Sequence, residues 1–104
     1  MEYKIKFSER CLEDIDDICD YISRELKSNN AANKLRNKIK ECVIDLKTSP
    51  KMYAKINKIG EYKRIYRRII INNYIILYTI DEKDKIIYIS HMYYGGRNYL
   101  ESLD

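Results

Sequence analysis

Three strongly β-forming runs crowded between Glu61 and Tyr99, EYKRIYRRIIINNYIILYTIDEKDKIIYISHMYYGGRNY, constrain this chain more than any other feature. They are rich in Ile and Tyr, which suit a pleated, half-buried surface, and only short polar links separate them. The first link is Asn72-Asn73, and Asn tolerates positive φ better than most residues; the second is Asp81-Glu82-Lys83-Asp84. The segment therefore predicts a three-stranded meander with strands at 64–71, 74–80 and 86–93. On the first strand, Ile65, Arg67, Ile69 and Ile71 fall on one side, and Arg64, Tyr66, Arg68 and Ile70 on the other. The next run is apolar on both faces except for Tyr and Thr, as a central strand requires. In the last, His91 has the same odd-numbered parity as Ile87, Ile89 and Tyr93, which predicts a histidine on the core side. Gly95-Gly96 then lets the backbone bend before Arg97-Asn98-Tyr99.

Ahead of the meander the period changes. Tyr3, Ile5 and Phe7 alternate with Lys4 and Lys6, the pattern of a half-buried strand. Ser8 is placed to cap a helix whose apolar positions are Leu12, Ile15, Ile18 or Cys19, Ile22 and Leu26. Its other side carries Glu13, Asp16, Asp17 and Asp20, a row that suits solvation and the helix dipole better than a metal or acid/base site. After the polar break Lys27-Ser28-Asn29-Asn30, a second helix shows Ala32, Leu35, Ile39, Cys42 or Val43, and Leu46 on one face, and Thr48-Ser49-Pro50 ends it. A short link between two such helices predicts an antiparallel hairpin. The expected fold class is α+β: one strand, two helices and a three-stranded antiparallel meander, with the helices packed on one face of the sheet.

A chain of 104 residues that is 45% hydrophobic and 35% charged suits a single domain spanning 1–104. The start, MEYKIKFSER, lacks a secretory h-region, and no apolar run is long enough to cross a bilayer, so the expectation is a cytoplasmic protein with no membrane association. Cys11, Cys19 and Cys42 lack CxxC pairing and read as reduced, buried side chains. The net charge of +4 lies wholly in the second half, and residues 47–68 alone carry +7. Such a patch favours a polyanion or an acidic protein, the alternative being a solvated face.

The order strand, helix, helix, three strands, with YRRIIINNYIILYTIDEKDKIIYISHMYYGGRNYLESL in the second half, resembles the toxins of the RelE/ParE superfamily, which are partnered by antitoxins in type II modules. The resemblance covers nearly the whole chain. It implies growth arrest, either by ribosome-dependent mRNA cleavage as in RelE-like members, or by poisoning DNA gyrase as in ParE-like ones. A third expectation is a catalytically silent relative held only by its antitoxin. No cofactor or metal is implied; the partners would be an acidic antitoxin, in a toxin–antitoxin hetero-oligomer, and either the ribosome with its mRNA or gyrase.

For RNA cleavage, cations must neutralise the phosphorane, and groups must move protons from the 2′-OH and to the leaving oxygen. By resemblance, Arg68 matches a basic position on the first meander strand, and Arg97 the arginine of a C-terminal glycine-basic segment. Tyr99 lies close to a C-terminal tyrosine of those enzymes, and Tyr94 stands where many carry histidine. Ile75 replaces a common arginine, and Tyr66 a common lysine. His91, the only histidine, is the remaining acid/base candidate, against the plainer reading of a structural histidine. Lys63, Arg64, Arg67 and Arg68 are the expected target-binding cations. Most of the eleven tyrosines read as strand formers with buried rings, leaving Tyr94 and Tyr99 as the functional ones.

Overall fold

The computed structural model describes residues 2–56 and 65–94. Strand β1 (Lys4–Phe7) leads into α1 (Glu9–Glu25) and α2 (Asn29–Leu46), followed by β2 (Arg67–Ile71), β3 (Tyr74–Asp81) and β4 (Ile86–Tyr94). The sheet order is β1-β4-β3-β2. β2, β3 and β4 form the antiparallel meander, whereas β1 runs parallel to β4 at the edge. Parallel strands need a long crossover, and the helix hairpin supplies it.

Ser8 caps α1 by accepting from Cys11 N at 3.0 Å, and Ser28 caps α2 by accepting from Ala31 N at 3.1 Å. Lys27, at φ 50°, takes the left-handed conformation that ends α1, and Asn72, at φ 51°, takes it in the β2–β3 turn. The α2 stripe is as expected: Ala32, Leu35, Ile39, Cys42, Val43 and Leu46 are all buried. In α1 the stripe holds at Ile15, Cys19 and Ile22 but not at its two ends. Cys11, Ile15, Cys19 and Ile22 are buried, while Leu12 and Leu26 are 48% and 60% exposed. Small thiols allow a close approach to the neighbouring elements, and Cys19 Sγ sits 4.0 Å from Ala32 O across the hairpin. Burial pushes the Cys11 thiol up to about 12, which leaves it protonated and unreactive.

The helix-facing side of the sheet holds the main core, with Ile69, Ile71, Ile76, Tyr78, Ile87, Ile89 and Met92 packed with the helices. A second cluster, Tyr66, Leu77 and Tyr93, lies on the opposite, open face with Ile56 and Ile75 against it. The two sets interleave along β3 and reveal a phase change in β4. Leu77 pairs with His91 but Tyr78 pairs with Ile89, so Ser90 is an extra residue in the ladder. This bulge corrects the parity expected for His91: beyond Ser90, Met92 joins the core, and His91 and Tyr93 turn to the open face, away from Ile87 and Ile89.

The bulge is held from both sides. Ser90 Oγ donates to Leu77 O at 3.3 Å, and Ser8 Oγ donates to Ser90 O at 2.8 Å while Ser8 N donates to Ile89 O at 2.9 Å. One serine thus caps α1 and satisfies the carbonyl that the bulge diverts from the ladder. Ser8→Ala should lower stability by about 1–2 kcal/mol, combining a lost cap with an unsatisfied carbonyl. A urea midpoint unchanged from the parent would show that neither bond matters.

Candidate functional site: the open face of the sheet

Alternation along each strand sorts the functional candidates between the two faces. Arg68 pairs with Leu77, which pairs with His91, so these three form one row across the open face. Around it lie two aromatic rings. Tyr93 stacks on His91 at 5.6 Å with 12° between planes, and Tyr66 meets the imidazole edge-on at 6.1 Å and 70°. Tyr66 and Tyr93 are buried, His91 half-buried and Arg68 exposed, so the row runs from a packed aromatic floor to a solvated guanidinium.

Ser90 Oγ lies 2.8 Å from His91 Nδ1 and 3.3 Å from Leu77 O, so the serine hydroxyl ties the imidazole to the bulge. An imidazole is a group that can exchange a proton with a substrate hydroxyl near neutral pH.

Arg67 does something different from its neighbour. Its side chain belongs to the helix-facing side, and its guanidinium donates to Tyr53 O at 2.6 Å and Lys51 O at 3.3 Å. Tyr78 adds a bond from its hydroxyl to Pro50 O at 2.7 Å; its phenol is pushed up to about 12, chiefly by burial. Together they fasten the segment after α2 beside the sheet. Ala54 O and Ile56 N bond to Arg68 N and Tyr66 O, which covers the start of the β2 edge. Lys51, Lys55, Ile65, Arg67, Ile80 and Glu82 line a cavity of about 260 Å³ at this corner. Lys51 pairs with Glu82 at 2.7 Å and holds its carboxyl below the usual range, so the net excess of cations there rests on Lys55 and Arg67.

The structure therefore brings Arg68 and His91 to one surface. It places Tyr94 on the other: Tyr94 pairs with Tyr74 and meets its ring at 5.8 Å on the helix-facing side. Lys63, Arg64, Arg97 and Tyr99 lie outside the described residues. Sequence reasoning passed over Tyr66 and Tyr93 as the rings packed around His91, because the bulge that turns His91 and Tyr93 to this face, where Tyr66 lies, leaves no mark in the local pattern. Ile75 pairs with Tyr93 on the open face, so the position where relatives carry arginine is apolar here. Among the described residues no group of three or more His, Cys, Asp or Glu is arranged to hold a metal ion. No described helix is long and apolar enough to cross a membrane.

A helix hairpin on one side of a four-stranded sheet, with a basic and aromatic open face, defines a toxin domain of the RelE/ParE type. The chain belongs to that superfamily: residues 5–99 match the family of the ParE toxin of the type II toxin–antitoxin system parDE. The fold is similar to that in the chromosomal ParDE toxin–antitoxin system of P. aeruginosa, with a TM-score of 0.68, 19% identity, and coverage of 89% of this chain and 96% of that one. It is also similar to a mutant of E. coli RelE in the free state, with a TM-score of 0.67, 16% identity, and coverage of 98% and 93%. The archaeal RelE–RelB complex from Pyrococcus horikoshii aligns at a TM-score of 0.63 and 19% identity, covering 93% and 99%. Among curated protein sequences none is significantly similar to this chain.

Proposed function

We propose that this toxin arrests growth by cutting mRNA on the ribosome, and that an acidic antitoxin encoded beside it restrains it. The observation that carries the reading is His91, its Nδ1 2.8 Å from Ser90 Oγ, in the same row across the sheet as Arg68. In the reaction, the 2′-OH gives its proton to His91 and its oxygen bonds to the adjacent phosphorus. The bond from phosphorus to the 5′ oxygen breaks, leaving a 2′,3′-cyclic phosphate and a 5′-hydroxyl that takes up a proton. Arg68 neutralises charge on the phosphorane, which is where a preorganised cation contributes most. Arg97 is the second phosphate cation and Tyr99 the proton donor to the leaving oxygen, roles that rest on resemblance alone. Tyr66 and Tyr93, both buried, hold the imidazole. Lys63 and Arg64 extend the positive field toward the target, whereas Arg67 serves by fixing the 50–54 segment.

Solved relatives include toxin–antitoxin complexes, which supports a protein partner for this chain. The +7 segment would attract an acidic partner helix that folds on binding.

The second reading is inhibition of DNA gyrase without nuclease activity. It is favoured by the ParE family match and by Ile75, which leaves the centre of the open face without the arginine common among RelE-like nucleases. One pair of assays decides. Purified toxin added to translating ribosomes should produce new mRNA 5′ ends and leave gyrase supercoiling unchanged. Intact mRNA together with inhibited supercoiling would overturn the nuclease reading.

A further inference from the structure

Beyond the Arg68–His91 row, the open face continues across β4 to the edge strand β1. Tyr88 stands there at 39% exposure, between Ile87 and Ile89, which are fully buried on the other face. Its β3 partner is Thr79 and its β1 partner is Lys6. Lys4, also exposed, lies two residues back opposite Ile86 and shares a shallow edge cavity with Glu2 and Lys47. The acid nearest in register on this face, Asp81, uses its carboxylate to accept from Asp84 N in the β3–β4 turn. Lys6, exposed at the edge, stands directly beside the exposed Tyr88 ring.

An exposed ring beside an ammonium is poor design for a merely solvated face, since the tyrosine gains little there. It is the pairing that single-stranded nucleic acid requires, a π surface for a base next to a cation for its phosphate.

We infer that Tyr88 and Lys6 form a second subsite for single-stranded RNA at the β1–β4 edge, on the same side of the sheet as Arg68. The inference rests on the nuclease reading for its choice of RNA. Tyr88 stacks a base away from the cleaved linkage, and Lys6 pairs with a phosphate there. Neither touches the reacting atoms, so the subsite sets affinity and register on the strand and not the chemical step.

The test is fluorescence anisotropy of a labelled, unstructured RNA of about ten nucleotides, a length within the range of single-strand site sizes. Tyr88→Ala should weaken binding about tenfold, the scale of one lost base stack, and Tyr88→Phe should restore it. Lys6→Glu should also weaken binding and make log Kd less steep against log salt, by about one phosphate contact or more. Lys40→Glu, on the exposed side of α2, serves as the control and should matter less. If Arg68→Glu weakens binding while Tyr88→Ala and Lys6→Glu do not, the subsite is wrong and the nuclease reading survives. If the parent itself binds no RNA, both fall. Loss of antitoxin binding with RNA affinity unchanged would make the strip a protein interface and overturn the proposal.

Discussion

Replacing His91 with glutamine should slow mRNA cleavage on translating ribosomes by on the order of a hundredfold or more, while the protein remains folded and binds RNA nearly as before. Glutamine preserves polarity and most of the volume, and its amide can still bond to Ser90. What it lacks is a basic nitrogen, so the effect isolates proton transfer from packing. The imidazole is half-buried among Tyr66, Tyr93 and Ser90, and its substitution by a polar side chain leaves the main core untouched. Ser90→Ala should produce a smaller loss, because it removes the hydroxyl that holds the imidazole at Nδ1 but leaves the base in place. Arg68→Ala should also reduce the rate by on the order of a hundredfold, the scale of one lost oxyanion donor, and should reduce RNA affinity as well. Cleavage by His91→Gln within about threefold of the parent would remove the histidine from the chemistry. The fall in affinity would then leave Arg68 as a binding group in a site whose base lies elsewhere.

The second large effect concerns stability and tests the bulge directly. Met92→Asp should destabilise the protein by about 4 kcal/mol or more, enough to leave a domain of this size largely unfolded. Met92 is 3% exposed, pairs with Ile76 at 0%, and packs into the helix-facing core, where a carboxylate would find no partner. The same change one residue earlier, His91→Asp, falls on the open face beside solvent and should cost much less. Uninterrupted alternation from Ile87 reverses this order, since it would bury position 91 and expose position 92. Urea unfolding of the two variants therefore discriminates between the two phases of β4, and a His91→Asp protein less stable than Met92→Asp would refute the bulge.

The contrast between these neighbouring positions marks the boundary of what the amino-acid order specifies. Element order, the Asn72-Asn73 turn, the α2 stripe and the faces of β2 were all legible, because each follows from a period of 3.6 or 2 read over a few adjacent residues. The same alternation correctly separated Arg67 from Arg68, though not what each guanidinium does. Only the folded chain assigns Arg67 to the carbonyls of Lys51 and Tyr53, partners fourteen or more residues away. At the start of α1 periodicity placed Leu12 on the stripe, but Cys11 also continues a helical period, and packing buries Cys11 instead.

The parallel pairing of β1 with β4 had no local signal either; it joins residues some eighty positions apart through the hairpin crossover. The phase change at Ser90 was the most consequential omission. A bulge adds one residue to a ladder without altering composition or hydropathy. Its position is fixed by β3 opposite and by the hydroxyl of Ser8, eighty-two residues upstream. Local periodicity determined which strands exist and where they turn. Tertiary contacts determined which side of the last strand faces the solvent, because an extra residue in β4 is stabilised only by groups brought to it through folding.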